Sequence, residues 1–251
     1  MPFAYVRELS TGEILRGSLR LYRQSFVTIT LAYALPNLPG GLLYAFALQQ
    51  QSIPAMVIAW ILMIAGSFTS YTAITLCISD ACVGNAPSLR RSFFRTRATA
   101  ASLTVVSMLQ VLVIFAGMLA LLIPGVIFAV WYFFAPITVI LEGRTGKAAL
   151  SRSRALGKGF YLRNFAVAVL VAIVVGGILF IGFLAIALVG RGMGVAQVSL
   201  PVASAVGALM GMLVSWVAYP LFFVSAILTY YDLRARKEAY DTMALAAELA
   251  R

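Results

Sequence analysis

Long apolar runs alternate with short polar or basic segments along the whole chain. Most runs reach about 20 residues, which crosses a hydrocarbon core of roughly 30 Å at about 1.5 Å per helical residue. The pattern predicts an all-α polytopic integral membrane protein, with six transmembrane helices as three hairpins, each preceded by a basic amphipathic interfacial helix. A single transmembrane domain, 1–251, would contain spans at about 26–48, 54–83, 101–121, 126–141, 164–189 and 202–231, with a cytoplasmic tail helix at 232–251.

Three basic segments, 8–25, 85–99 and 144–164, precede the first, third and fifth spans. The first opens on a capping-box pattern, Ser10 followed by Glu13, and then separates apolar and arginine faces. That arrangement is typical of a helix lying in the membrane interface, and a partner-binding helix is the alternative. We refer to the three segments together as the basic collar.

The basic collar carries a recurring Leu-x-x-Ser core with adjacent arginines, which indicates a threefold internal repeat. Arginine binds phosphate through two parallel hydrogen bonds, so these positions are candidate contacts for anionic lipid or a protein partner. The alternative is that they only anchor the hairpins. The candidates are Arg16, Ser18, Arg20, Arg90, Arg91, Ser92, Arg95, Arg152, Ser153 and Arg154.

Proline and glycine interrupt two of the spans. Pro36 and Pro39 predict a break in the first span, and Asn37 between them would contact a wet cavity if the break lines one. A kink without function is the other interpretation. Gln110 is the one strongly polar side chain near the middle of the third span. Pro124-Gly125 predicts the end of that span and a reversal, rather than one helix over 101–141.

Small residues predict where helices pack. The second half of span two, 66–81, is rich in small and hydroxylated residues, and Gly207 and Gly211 belong to a four-residue repeat in span six. Span six would pack within the chain, and a homodimer remains open, so the oligomeric state is undetermined. Three i,i+4 pairs predict that the tail is a solvated continuation of span six: Asp232–Arg236, Arg234–Glu238 and Lys237–Asp241.

The composition fits a membrane protein, with 62% hydrophobic and 11% charged residues, and the formal net charge is +11. All but one of the 19 lysines and arginines fall on the side of the N-terminus, the second and fourth loops and the tail; the exception is Arg191. The positive-inside rule therefore predicts that both termini are cytoplasmic. Bases placed beside apolar spans favour anionic lipid as their partner, not nucleic acid.

Residues suited to catalysis are scarce. The chain has no histidine, and its cysteines, Cys77 and Cys82, form no metal or redox motif, so we expect no enzyme activity, metal or cofactor. Asp80 and Glu142 are boundary acids at the inner ends of their spans. Asp80 would pair with an arginine, and a proton relay is the alternative. No charged residue falls at mid-depth, which disfavours ion-coupled transport.

Several motifs resemble one family. The segments IPG (123–125), WYFFAP (131–136), AALSRSRALGKG (148–159) and YYDLRARKEAYD (230–241), with LSTGEILRGSLRLYRQSF (9–26), are similar to six-span bacterial membrane proteins of the glycerophosphoryl diester phosphodiesterase membrane-domain and YciC-like group. The resemblance implies an inner-membrane module without an assigned activity and supplies no catalytic residue. In some relatives the domain is fused to a soluble phosphodiesterase, whose histidine and clustered carboxylates this sequence lacks.

These observations lead to one functional expectation and one alternative. The expectation is a non-catalytic module that engages anionic lipid or a protein partner through its basic cytoplasmic collar. The alternative is a transporter or channel-like protein for a neutral or amphiphilic solute, because broken spans are a feature of transporters.

Overall fold

A computed structural model describes residues 5–195 and 197–249 of the chain. These residues form helices and connecting segments, without a β-strand. The all-helical prediction is therefore confirmed. In chain order the helices are α1 (Thr11–Gln24), α2 (Phe26–Gln49), α3 (Ile53–Val83), α4 (Leu89–Ala120), α5 (Leu122–Tyr132), α6 (Ala135–Glu142), α7 (Gly146–Gly157), α8 (Tyr161–Val195), α9 (Leu200–Glu238) and α10 (Thr242–Leu249).

Six helical stretches are long and apolar enough to cross a membrane, as predicted, although most extend beyond the predicted spans. α5 and α6 together make one of them. Consecutive stretches pack against each other, α2 on α3, α4 on α5 and α8 on α9, and α9 also packs along α2. The six are Phe26–Gln49, Ile53–Val83, Leu89–Ala120, Leu122–Glu142, Tyr161–Gly194 and Leu200–Glu238.

Helix α1 begins as predicted and packs against α9. The Ser10 hydroxyl accepts a hydrogen bond from the Glu13 amide, and the Glu13 carboxylate accepts one from the Ser10 amide, which completes the capping box. At its far end, the Tyr22 hydroxyl donates to the carbonyl of Val217, in the body of α9, at 2.8 Å. Ile14 is fully buried. Much of the apolar face of α1 is thus covered by protein, although Leu19 is 45% exposed.

The second basic segment is not a separate helix. Residues 89–120 form the single helix α4, because no proline or glycine interrupts the junction between the basic segment and the predicted span. The third segment does form its own helix, α7, which ends before Gly159 in the left-handed region (φ +87°). The three basic segments therefore take three different structures: one is a helix packed on α9, one is the start of a span, and one is a separate helix packed on α5 and α6.

Helix α2 continues through both of its prolines, contrary to the predicted break. Asn37 lies in the interface with α3, where its amide nitrogen donates to the Tyr33 carbonyl at 2.8 Å and to the Ser70 hydroxyl at 2.9 Å. A Cβ on Gly66 would lie 2.5 Å from the Pro36 carbonyl oxygen, so only glycine permits this approach. Close packing with α3 holds the proline-containing helix together and leaves Asn37 with 6% of its surface exposed.

The reversal after α4 occurs three residues earlier than predicted. Leu121 is extended (φ −166°, ψ 149°), and Pro124 falls in the first turn of α5, where a missing N–H costs nothing. A Cβ on Gly125 would lie 2.9 Å from the Met118 amide nitrogen, so Gly125 allows α5 to return closely along α4. One helix over 101–141 is excluded.

The glycines of α9 pack within the chain, as expected. An ideal Cβ at Gly207 would lie 3.6 Å from Ile186 of α8, and one at Gly211 would lie 4.0 Å from the same side chain. Both glycines of the repeat therefore lie in the α8–α9 contact.

Buried residues concentrate at one end of the bundle. Residues 72–80 of α3 and most of 218–234 of α9 are buried, which confirms that the second half of span two packs against protein. The opposite portions of α3, α4, α8 and α9 expose large apolar side chains such as Trp60 and Phe115. Because α9 is about 58 Å long, against a hydrocarbon core of roughly 30 Å, only part of it fits within a bilayer. We refer to the buried end as the basic end.

Candidate functional site

Asp232 is the centre of one charged cluster at the basic end. Its side chain is fully buried and accepts hydrogen bonds from the Leu9 amide at 2.6 Å, from Arg236 Nε at 2.9 Å and from Arg163. Arg163 and Arg236 also donate to the Leu9 carbonyl. Two arginines and one aspartate thus hold the segment before α1 against α8 and α9.

Glu142 is the centre of a second cluster. Both of its carboxylate oxygens lie within 2.9 Å of Arg152 Nε, and the Tyr230 hydroxyl donates to it at 2.6 Å. Arg152 also pairs with Glu238. Burial lowers the pKa of Arg152, but the two glutamates outweigh it and hold that pKa above its usual range. The guanidinium of Arg152 is therefore engaged by Glu142 and Glu238 of the same chain.

The second cluster continues into the tail. Arg234 donates one hydrogen bond of 2.9 Å to each carboxylate oxygen of Glu248, and its guanidinium lies 3.6 Å above the ring centre of Tyr240. Burial and the hydrogen bond to Glu248 raise the pKa of Tyr240. The tail is thus a helix packed on the bundle, which differs from the expected solvated continuation of span six.

Only two of the three expected tail pairs form. Asp232–Arg236 and Arg234–Glu238 are present, with Asp232 and Arg234 buried. Helix α9 ends at Glu238, because Ala239 is left-handed, and the register to Asp241 is lost. Lys237 instead donates to the carbonyls of Ala155 and Lys158 at the end of α7.

Asp80 lies where α3, α4 and α10 meet. It is 3% exposed, and Arg91 approaches it at 3.8 Å, which gives the expected arginine pairing at long range. Arg91 and Arg95 donate to the carbonyl of Leu249 at 3.0 and 2.8 Å. Two arginines predicted to contact lipid or a partner thus fasten α10 to the start of α4.

The three serines of the repeat are all buried. Ser18 donates to Ile14 within α1, and Ser92 contacts Cys77 of α3. Ser153 donates to the Trp131 carbonyl at 2.9 Å and accepts from the Phe134 amide at 3.1 Å, so it satisfies two backbone groups at the break between α5 and α6. Their hydroxyls have no exposed surface for a ligand, and helix packing explains the pattern.

A different set of arginines remains exposed. At the basic end of the described chain, five exposed arginines have no acidic partner within 4.0 Å, and we call these the outer arginines. Arg191 is also exposed and has no such partner, but it lies near the opposite end of α8. One of the outer arginines, Arg154, lies 3.9 Å above the ring of Trp131. Arg20 is also exposed and acts on the pKa of Tyr5, so it is kept apart from the set. The outer arginines are Arg16, Arg23, Arg90, Arg97 and Arg154.

The two polar candidates in the spans do not meet at a cavity. The Asn37 amide is used between α2 and α3, as described above. Gln110 is half-buried on α4, and its amide makes no hydrogen bond to the described part of the chain. Neither lines one of the larger pockets of the described structure.

The sequence does not indicate which acidic and basic residues form the internal ion pairs. The charge distribution identifies Arg163 only as a topology signal, and the tail prediction leaves Asp232 and Glu248 in a solvated helix. One signal was available, because span six and its tail together exceed the thickness of a bilayer. A helix that long has to pack its extra turns against protein or expose them.

Among the residues described, no group of three or more His, Cys, Asp or Glu side chains is placed to hold a metal ion. Comparison of the chain with protein family models, with curated proteins and with solved structures finds no match. The resemblance to the six-span bacterial family therefore remains a prediction.

Proposed function

We propose that this protein is a non-catalytic membrane module that engages anionic lipid through the outer arginines of its basic end. One observation supports the proposal: at this end several acidic groups are paired inside the bundle, whereas a separate set of arginines lies at the surface. Buried or half-buried arginines form ion pairs with four acids, Glu142, Asp232, Glu238 and Glu248. The outer arginines remain exposed and have no acidic partner within 4.0 Å. Exposed, unpaired arginines beside apolar helices attract anionic headgroups.

The orientation follows from the same distribution of charge. We propose that the basic end faces the cytoplasm, in a bacterial inner membrane, with both termini on that side. Arg191, near the opposite end of α8, is the only base assigned to the other side. A reporter fused after the last residue is expected to be active only in the cytoplasm, and activity only outside the cell would contradict the orientation.

The lipid proposal is tested by the thermal unfolding midpoint in nanodiscs, because a ligand that binds the native state stabilises it. Phosphatidylglycerol discs are expected to give a higher midpoint than phosphatidylcholine discs with the same acyl chains. The difference should shrink at about 1 M salt, where the Debye length is about 3 Å. Equal midpoints in the two lipids at low salt would contradict the proposal.

The variant for this test replaces Arg16, Arg23, Arg90 and Arg97 by glutamine. All four are exposed and have no described acidic partner, so the fold should be unaffected. The same four positions replaced by lysine keep the charge and provide the matched control. The lipid-dependent difference should fall in the glutamine variant and persist in the lysine variant. Solute flux above that of protein-free vesicles would instead favour the transporter alternative.

A further inference from the structure

An open groove of about 1020 Å³ lies between the middle of α2 and α3 and the first turns of α4. Its wall is apolar and includes Leu35 and Pro39 of α2 with Leu62 and Ala65 of α3. These residues lie well inside helices that are long and apolar enough to cross a membrane. The wall is therefore suited to acyl chains.

The other side of the groove is basic. Arg90, Arg91 and Arg97 line it, and no acidic residue does. Arg90 and Arg97 are seven residues apart in α4, which places them on one face about two turns from each other. Phe94 lies between them on that face and is 74% exposed. An aromatic ring between two cations suits the boundary between headgroups and acyl chains, where amphipathic and basic side chains gather.

We infer that this groove binds one anionic phospholipid, with its phosphate at Arg90 and Arg97 and its acyl chains along α2 and α3. The inference rests on the proposed engagement of anionic lipid and assigns it one specific site. Guanidinium groups bind phosphate through paired hydrogen bonds, and both arginines are exposed without a described acidic competitor. Arg91 contributes less, because it already donates to the Leu249 carbonyl.

Two features argue for a lipid over a second copy of the chain. The groove combines an apolar wall with an unneutralised basic rim, and a phospholipid presents both complements in one molecule. A second copy would have to bring acidic groups to the rim. Most acids of the described chain are held in internal ion pairs, including Glu142, Asp232, Glu238 and Glu248.

The test is native mass spectrometry of the delipidated full chain, titrated with phosphatidylglycerol or phosphatidylcholine of identical acyl chains. The wild type should bind one phosphatidylglycerol in preference to phosphatidylcholine. Arg90→Gln with Arg97→Gln should weaken that binding about twenty-five-fold, since each arginine near a headgroup contributes about a factor of five. Lys147→Gln with Lys158→Gln is the matched control, because it removes the same charge from exposed positions at the two ends of α7 that belong neither to the groove nor to the outer arginines, and it should bind as the wild type does.

A second pair of variants tests the apolar wall without changing charge. Ala65→Phe fills the groove and should remove the tight phosphatidylglycerol, whereas Ala116→Phe, exposed on α4 outside the groove, should not. Circular dichroism should show unchanged helicity in the two double variants and in the two alanine-to-phenylalanine variants.

Three outcomes would overturn the site: unchanged binding in the Arg90/Arg97 variant, equal binding of the two lipids, or a lipid-free dimer as the main species. An equal loss in the Arg90/Arg97 variant and in the Lys147/Lys158 variant would also overturn it. That last outcome would leave general engagement of anionic lipid intact, so the two proposals fail in distinguishable ways.

Discussion

Arg234 donates two hydrogen bonds, each 2.9 Å long, to the carboxylate of Glu248 and thereby ties α9 to α10. The Arg234 side chain is 9% exposed and that of Glu248 is 20% exposed. Arg234 also pairs with Glu238, which connects the tail to Arg152 and Glu142. The last helix of the described chain is thus held by the same ionic cluster that organises the basic end.

Replacing Arg234 by glutamine is expected to destabilise the protein by about 2–4 kcal/mol, because partly buried carboxylates lose their partner. The expected signature is local, with faster amide hydrogen exchange over 242–249. Lys147→Gln, which removes an exposed charge from α7, provides the control and should leave exchange in α10 unchanged. If α10 exchanged equally slowly in both variants, the ionic attachment of the tail would be refuted.

Ser153→Ala should cost about 1–3 kcal/mol of unfolding free energy. The substitution leaves the Trp131 carbonyl and the Phe134 amide without a partner at a buried break. Ser151, two residues earlier and exposed, is the natural control, and Ser151→Ala should fall within about 0.5 kcal/mol of the wild type. Equal stabilities of the two variants in denaturant titrations would show that Ser153 does not hold the break.

Asn37→Leu is expected to weaken the α2–α3 contact by about 0.6–2 kcal/mol, the range for side-chain hydrogen bonds between membrane helices. Gln110→Leu, at a position without a described hydrogen bond, should change stability by less than about 0.5 kcal/mol. Unfolding in detergent compares the two directly. A larger loss of stability at Gln110 than at Asn37 would contradict the role assigned to the Asn37 hydrogen bonds between α2 and α3.

The capping box of α1 should respond to pH in a defined direction. Hydrogen bonds from the Ser10 amide and from Arg7 lower the pKa of Glu13 to about 2 from 4.5. A lowered pKa means that the carboxylate stabilises the native state above pH 4.5, and that this contribution is lost as the pH falls towards 2.

An NMR titration of the Ser10 amide should therefore show a midpoint near the pKa of about 2 given above for Glu13. Glu13→Gln removes the titrating group and should abolish the transition. A midpoint at 4.5 would mean that the capping box is not formed in solution.

Hydropathy and capping patterns predicted the number of spans, the start of α1 and the packing of the second half of span two, because each depends on local sequence. The charged clusters were not predictable in that way. Leu9 meets Asp232 across 223 positions of the chain, and Arg91 meets Leu249 across 158. Nothing in the spacing of these residues indicates that they touch.

The same reason explains which candidate contacts changed role. Arg91, Arg95 and Arg152 look like Arg16 and Arg90 in sequence, since all five are arginines beside apolar spans. Burial and the position of α10 separate them, and both are tertiary properties. Arg97 and Arg23 joined the exposed set for the same reason.

Engagement of anionic lipid by the outer arginines is tested most directly by measuring the composition of the lipid that surrounds the protein. Discs extracted from native membranes with a polymer keep this lipid, and its ratio of anionic to zwitterionic species can be compared with that of the bulk membrane. The wild type should be enriched in anionic lipid, and glutamine at Arg16, Arg23, Arg90 and Arg97 should bring the ratio down towards the bulk value. A wild type at the bulk ratio, or a glutamine variant as enriched as the wild type, would contradict the account.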